Sequence, residues 1–146
     1  MDDDQTIEHA IAILEKRLHK PSAIIKDAQH AATYLSLQLA ALEYESFRVL
    51  FLNNRHGLIT LKELFRGTVD GAAVYPREVV KAALQFNAAA VILTHNHPSG
   101  DCHPSAADRA ITRRLKSALS LVDIRVLDHI VVGGTRTYSF AEHGLI

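Results

Sequence analysis

Residues 89–108 read AAVILTHNHPSGDCHPSAAD: a short apolar run, then a polar segment rich in histidine and proline, then the start of an alanine-rich segment. The apolar run is short and bounded by turn-forming residues, which is typical of a buried strand. Ser105-Ala-Ala-Asp108 fits a capping box, in which a serine N-cap is paired with an acidic residue three positions later. The pattern therefore predicts a buried strand over 89–94, a loop over 95–104 and a helix over 105–120.

Upstream of this stretch, the spacing of apolar residues changes from helical to alternating. Helical spacing predicts a first helix that ends before Lys20-Pro21 and a second that starts at the N-cap Ser22 and runs to about Glu43. From Phe47 the period is two and both faces are apolar, so this strand is expected to be central in its sheet. The following segments are predicted as a turn over 53–57, a strand over 58–65, a turn at Asp70-Gly71, and a helix from Pro76 to Asn87 with Val79, Val80, Ala83 and Leu84 on its buried face.

Downstream, Gly133-Gly134 separates two further runs, 122–132 and 136–140, which are expected to close the fold as a hairpin. The order of elements is typical of the α/β class, with one mixed sheet flanked by helices. A chain of 146 residues with 48% hydrophobic residues is long enough to bury such a core as one domain.

Composition and charge exclude several classes of protein. Sixteen basic residues balance sixteen acidic ones, so there is no surplus of positive charge to favour nucleic-acid binding. Cys102 is the single cysteine and cannot form an internal disulfide, which fits a reducing compartment. The longest apolar stretch is far too short to cross a bilayer, and the acidic N-terminus does not resemble a signal peptide. We therefore expect a cytoplasmic protein without membrane contact.

His95 and His97 are expected to point to the same side, because alternate residues of an extended chain share a face. Asp108 follows on the first turn of the next helix, and the intervening loop can fold that turn back onto the strand end. Two imidazoles and one carboxylate, with a fourth position left for water, form a ligand set that catalytic Zn²⁺ uses. A polar turn followed by an ordinary helix cap is the alternative interpretation of the same residues.

This arrangement resembles a known family. The spacing His95-x-His97, seven residues, Ser105, two residues, Asp108 matches the JAMM motif of the MPN-domain metalloproteases, and the string from His95 to Gly100 is similar to the RadC branch. Pro76-Arg-Glu78 and Asp128-His129 also look like RadC positions. The resemblance implies a single MPN (JAB)-like domain with cytidine-deaminase-like layering over 22–146, preceded by a helical extension over 1–21. Longer RadC proteins carry a helix-hairpin-helix module, so a short, stand-alone form is expected here.

The resemblance also implies a site chemistry. A JAMM site holds Zn²⁺ and uses the metal-bound water as nucleophile, with an upstream glutamate as general acid and base. The candidates that precede the loop are Glu43, Glu45, Glu63 and Glu78. The family pattern places the glutamate just before the first strand, which favours Glu45 and leaves Glu43 as the reserve, whereas Glu78 fits the first turn of a helix. Ser105 would donate a hydrogen bond to the oxyanion of a tetrahedral intermediate.

Other candidate residues lie close to the motif. Cys102 and His103 share the loop and are possible extra ligands that the family string does not require. Asp128-His129 is interpreted as a polar pair in a strand bend, with a contact to a metal ligand as the less favoured alternative. The remaining histidines are scattered and are expected to be surface or ordinary packed residues: His9, His19, His30, His56 and His143.

Three functions compete at this point. The first is a zinc-dependent hydrolase of amide or isopeptide bonds, acting on a peptide or protein. The second is a DNA-associated protein, because RadC-like proteins have been labelled DNA-repair factors and four basic residues follow one helix: Arg109, Arg113, Arg114 and Lys116. The third is a metal-free MPN scaffold, which the complete ligand set disfavours. A homo-oligomer, formed through Ile7, Ile11 and Leu14, is a further possible partner state.

Overall fold

The computed structural model describes residues 1–19, 25, 28–67 and 74–146. Within these ranges the elements are α1 (Asp3–His19), α2 (Ala28–Leu39), β1 (Ser46–Leu52), β2 (Leu58–Arg66), α3 (Pro76–Gln85), β3 (Ala90–Asn96), α4 (Ala106–Ser120), β4 (Arg125–Gly133), β5 (Arg136–Ser139) and a 3-10 turn (Ala141–His143). In this part of the chain, no helix combines the length and the apolar character that crossing a membrane requires.

The strands form one sheet in the order β2-β1-β3-β4-β5. β3 and β4 run parallel, and the other neighbouring pairs are antiparallel, so the sheet is mixed as expected. β1 lies between β2 and β3 and is almost fully buried, which confirms the central position that its two apolar faces predicted.

Helices cover both faces of the sheet, and alternation along the strands decides which side chain meets which helix. Phe47, Val49 and Leu93 pack with α3 and α4 in one apolar cluster. Leu50 and Ile92, at alternate positions, pack with α2 in the other. His95 continues the series that faces α4, because it lies two residues after Leu93. The metal-ligand candidate on β3 is therefore directed towards the N-terminal end of α4.

The boundaries of the N-terminal helices differ from expectation. α2 ends at Leu39 rather than near Glu43, because the N–H of Leu42 donates to the carbonyl of Leu39 in a tight turn that leads into β1. The predicted N-cap Ser22, the boundary between residues 21 and 22, and the turn at Asp70-Gly71 lie outside the described residues. Ile11 and Leu14, suggested as a surface for a second copy, pack partly against the α2 cluster.

On α3 the predicted buried face is partly wrong. Leu84 is 57% exposed, whereas Val79 and Ala83 are fully buried. The buried positions follow the spacing 79, 82, 83 and 86, and Leu84 lies outside that stripe. Ala82 takes the place that Leu84 was expected to fill.

The strands next to the site also have corrected limits. β3 extends to Asn96, so His95 belongs to the strand and not to the loop. It extends because β1 and β4 flank it on both sides, with His95 opposite Phe47 and Val131. β4 begins at Arg125 rather than at Val122, since residues 121–123 form a turn in which Asp123 has a φ of 60°.

Candidate metal centre

Three side chains meet where β3 ends and α4 begins. His95 is in the penultimate position of β3, His97 follows the strand, and Asp108 lies in the first turn of α4. His95 Nε2 lies 3.3 Å from Asp108 Oδ1, and His97 Nε2 lies 3.2 Å from Asp108 Oδ2. The two Nε2 atoms are 3.0 Å apart. Among the described residues, these three form the group of side chains whose ligand atoms are close enough to hold one metal ion.

The spacing of these atoms fits a small tetrahedral ion. Zn–N and Zn–O bonds of about 2.0–2.1 Å separate neighbouring ligand atoms of a tetrahedron by about 3.3 Å. The two Nε2 atoms lie 3.0 Å apart, and each lies 3.2 to 3.3 Å from one of the two oxygens of the Asp108 carboxylate, so the two rings and the carboxylate converge at close to that spacing. The fourth corner is not filled by any of the three side chains, and the side chain of His97 is 17% exposed. The donor set is therefore that of an open rather than a closed metal site.

The loop after β3 orients the ring of His97. Its Nδ1 lies 2.7 Å from the carbonyl oxygen of Asp101, and a carbonyl can only accept, so Nδ1–H is the donor. In the neutral ring, the lone pair of Nε2 then faces Asp108 and His95. In this tautomer His97 presents a ligand atom to the shared position.

Electrostatic interactions favour the charged forms of Asp108 and His97. Burial acts to raise the pKa of Asp108, but the adjacent His95 and His97 rings, which can donate to the carboxylate when they are protonated, outweigh it and hold that pKa far below its usual range. The hydrogen bond to Asp108 raises the pKa of His97 against the opposing effect of burial. Asp108 is thus a carboxylate at neutral pH, which is the form that binds a cation.

Asp108 also caps its own helix, so the capping interpretation is confirmed, and the same carboxylate still belongs to the group that could hold a metal. Ser105 Oγ accepts from the N–H of Asp108 at 3.0 Å, and Asp108 Oδ2 accepts from the N–H of Ser105 at 2.8 Å. The capping box fixes the carboxylate relative to α4 while leaving the Ser105 hydroxyl proton free of this pairing. Ser105 is exposed beside the ligand set.

Glu45, the favoured general base, lies half-buried immediately before β1. The carboxamide of Asn96 binds the two residues that flank Glu45. Its Oδ1 accepts from the N–H of Ser46 at 2.7 Å, and its Nδ2 donates to the carbonyl of Tyr44 at 3.0 Å. Asn96 lies between the two histidines, so the segment that carries Glu45 is tied to the strand end. The negative charge of Glu45 is among the causes that raise the pKa of His97.

The other three candidates for the general base do not lie beside the ligand group. Glu43 is exposed. Glu63 is bonded to Ser46 Oγ at 2.6 Å and to Arg66 at 3.0 Å. Glu78 is exposed in the first turn of α3, where an acidic residue was expected.

The two additional loop candidates are separate from the ligand group. Cys102 is buried and reduced. The His103 ring is 75% exposed and bonds Asp101 Oδ1 at 2.8 Å. Neither belongs to the described group that could hold a metal. Of the scattered histidines, the described His9, His30 and His143 are exposed and His56 is half-buried, while the side chain of His19 is outside the described set.

The interpretation of Asp128-His129 as a simple polar strand bend is wrong for His129. His129 Nε2 lies 2.8 Å from Nδ1 of His95, and both rings are completely buried. Asp128 accepts from the N–H groups of His129 and Ala141 and from the hydroxyl of Ser139, and so joins β4 to the C-terminal turn. Sequence reasoning also missed Asn96 and Thr112; the parity of His129 along an apolar strand was the available signal for its inward direction.

Comparisons with known proteins agree with this geometry. The family model described as a RadC-like JAB domain matches residues 25–145. A UPF0758 protein of Vibrio cholerae is 58% identical over 142 residues, covering 97% of this chain and 89% of its own length. UPF0758 proteins YkfG and YeeS of Escherichia coli K12 are 53% and 54% identical, over 99% and 96% of this chain and 91% and 95% of their own lengths. The chain belongs to the RadC-like JAB domain family.

Proposed function

We propose that this protein is a zinc-dependent hydrolase of amide or isopeptide bonds, acting on a peptide or protein substrate in a reducing cytoplasm. His95, His97 and Asp108 would hold the ion. Zinc supplies Lewis acidity and lowers the pKa of a water ligand towards neutrality, which removes the need for an activated serine or cysteine. Buried Cys102 fits that expectation, because it is poorly placed to act as a nucleophile.

The observation that carries the proposal is the spacing of three ligand atoms around one open corner. The two Nε2 atoms lie 3.0 Å apart, each lies within 3.3 Å of an oxygen of the Asp108 carboxylate, and among the described residues no fourth side chain belongs to this group. Structural zinc sites are usually closed by four protein ligands, whereas catalytic sites keep one position open. The arrangement therefore supports hydrolysis over a purely structural role.

Glu45 would move the proton. Its carboxylate would accept the proton of the attacking water and deliver it to the departing amine, which is the role of a general base and acid. The electrostatic effect of Glu45 on His97 supports its placement near the ligand set. The clamp from Asn96 onto Tyr44 and Ser46 would keep the carboxylate at a constant distance from the ligands.

Ser105 would stabilise negative charge on the substrate. Its Oγ already accepts one hydrogen bond from Asp108, so the hydroxyl proton is available to donate outward. A donor aimed at a developing oxyanion is worth about 3–4 kcal/mol in acyl-transfer enzymes. The exposure of Ser105 is consistent with contact to a bound substrate.

The test compares Glu45→Gln with wild type in zinc content and in cleavage of a mixed library of short peptides read by mass spectrometry. Glutamine keeps the size of the side chain but cannot accept the proton. Zinc content and fold should survive, and the cleavage rate should fall by about 10²–10⁴-fold.

Glu43→Gln is the matched control, since Glu43 is exposed and lies two positions away. We expect a cleavage rate close to that of wild type. If Glu43→Gln abolishes cleavage while Glu45→Gln spares it, the assignment of the base is wrong. A zinc-loaded wild type that cleaves no peptide or conjugated protein would remove the hydrolase proposal.

A role in DNA binding is the second candidate, and one observation favours it: the four basic side chains of α4 are all exposed, namely Arg109, Arg113, Arg114 and Lys116. They lie opposite the buried residues of the same helix, which is also the pattern of any solvated helix face. With a net charge of zero, we expect weak, salt-sensitive binding at most. A DNA titration that gives nanomolar affinity at physiological salt would favour this second function.

A further inference from the structure

Behind His95, a chain of buried polar groups connects the metal-ligand candidates through the core. Nδ1 of His95 meets Nε2 of His129 at 2.8 Å, and Nδ1 of His129 meets Oγ1 of Thr112 at 2.6 Å. Oγ1 of Thr112 meets the backbone carbonyl of Asp108 at 2.7 Å. The carboxylate of Asp108 in turn faces Nε2 of His95, so the contacts close into a ring.

Two aromatic rings enclose these hydrogen-bonded side chains. The ring of Phe47 stacks on His95 with a centroid separation of 6.1 Å, and Phe140 stacks on His129 at 4.7 Å. His95 and His129 are 0% exposed and Thr112 is 1% exposed. Polar groups buried to this degree must satisfy one another, because an unmade hydrogen bond there leaves a desolvated group without a partner.

Counting protons along the chain gives one consistent set of tautomers. The Asp108 carbonyl can only accept, so the single hydroxyl proton of Thr112 is donated to it. Oγ1 of Thr112 must then accept, which makes Nδ1–H of His129 the donor. Nε2 of His129 is left as an acceptor, and it takes its hydrogen bond from Nδ1–H of His95. His95 is thereby left with a lone pair on Nε2, directed at the position it shares with His97 and Asp108.

We propose that Thr112 and His129 are positioning residues that lock His95 into the Nδ1–H tautomer and hold its Nε2 lone pair towards the metal. This inference rests on the proposed metal site. Partners of metal-bound histidines fix ring orientation and tautomer, and their loss typically lowers metal affinity by about 10–100-fold. Here the partner of His95 is His129 on β4, and His129 is itself held by the hydroxyl of Thr112 on α4.

The experiment uses the isosteric pair Thr112→Val and Thr112→Ser in the full chain. Valine keeps the shape of threonine but leaves Nδ1–H of His129 without an acceptor, whereas serine keeps the hydroxyl. Zinc affinity, measured by competition with a chromophoric chelator, should fall by about 10-fold or more in Thr112→Val. It should stay close to wild type in Thr112→Ser.

A second measurement reads the tautomers directly and does not depend on metal or activity. Long-range ¹H–¹⁵N correlation spectra of metal-free protein at alkaline pH distinguish Nδ1–H from Nε2–H rings. Wild type should show His95 and His129 as Nδ1–H, and Thr112→Val should show a mixture for both. His97 is the internal control, because the Asp101 carbonyl fixes it independently.

The outcomes separate the two proposals. His95 in the Nε2–H form in wild type would overturn the inference, as would equal zinc affinity and unchanged tautomers in Thr112→Val. If Thr112→Val does not fold, the wild-type spectrum alone decides between the two tautomers of His95. A wild type that binds no zinc would overturn the proposed function. The tautomer of His95 would still show whether His129 and Thr112 position its ring.

Discussion

The two histidines of the candidate metal centre are supported by two very different regions. Behind His95 lies an inner region of buried side chains, in which His129 hydrogen-bonds His95 on one side and Thr112 on the other. In front of it lies an outer loop over 97–105, where His97 is held by one backbone carbonyl and the side chains of Asp101 and His103 are 70% and 75% exposed. The inner region fixes geometry by packing, and the outer loop leaves one side of the ligand group exposed to solvent.

Removing both ligands breaks both regions together and should have the largest effect. We expect about one zinc per chain in wild type and almost none in His95→Ala/His97→Ala, because one carboxylate cannot hold the ion alone. Elemental analysis of purified protein measures this. Undiminished zinc in the double variant would contradict the assignment of the site.

The single variants should separate the two regions. In metal-free protein, His95→Ala leaves Nε2 of the buried His129 without a partner and should lower the free energy of unfolding by about 1–3 kcal/mol. His97→Ala removes a partly exposed ring from a loop and should change the free energy of unfolding by much less. Urea unfolding of both variants provides the measurement. Equal losses would mean that the inner region is no more tightly packed than the outer loop.

Gly133 marks where the outer loop rests on β4, and its substitution should have an intermediate effect. A Cβ at Gly133 would lie 2.6 to 2.8 Å from backbone atoms of Cys102, Asp101 and Gly100, which cannot move as a flexible side chain can. We expect Gly133→Ala to lower the free energy of unfolding by about 1–3 kcal/mol and to weaken zinc binding, because the Asp101 carbonyl that orients His97 is displaced.

Gly134→Ala is the control for Gly133→Ala. Gly134 has a φ of 60°, so alanine there is strained, but its Cβ would lie 3.9 Å from the nearest loop atoms. Stability should fall while zinc affinity is retained. Thermal unfolding and chelator competition together distinguish strain in the hairpin from displacement of the loop.

The smallest expected effect is on the pH dependence of stability in the metal-free protein. His97 in the outer loop and His129 in the inner region have pKa values shifted in opposite directions. The pKa of His97 is raised by Asp108, so its contribution to stability is complete below pH 6.5 and is lost as the pH rises through the raised pKa. Burial holds the pKa of His129 well below 6.5, so its contribution is complete above that value and is lost as the pH falls. One pKa unit corresponds to about 1.4 kcal/mol.

His97→Gln should therefore flatten the alkaline limb of the stability profile and leave the acid limb in place. Urea unfolding across pH in the presence of a chelator measures both limbs. Identical alkaline limbs in wild type and His97→Gln would show that the outer contact contributes nothing to stability.

Much of the fold and part of the site follow from local patterns. The central position of β1 was readable because both of its faces are apolar. The capping box predicted the start of α4 because the N-cap and N3 residues are covalently close. The limits of α2, β3 and β4 were less accurate. Turns at residues 39–42 and 121–123 end α2 early and delay β4, whereas pairing with the distant strands β1 and β4 extends β3 to Asn96.

The sequence by itself identified the three candidate ligands, because the spacing of His95 and His97 on an extended chain and the position of Asp108 in a first helical turn are consequences of local geometry. Only the tertiary structure decided their surroundings. Glu45 and His129 lie 50 and 34 residues from His95 along the chain, and no periodicity connects them. Strand register brings them in: β1 places Phe47 opposite His95, and β4 places His129 opposite Leu93. Registers of that kind are set by the packing of two apolar clusters against one sheet, which a local pattern cannot specify.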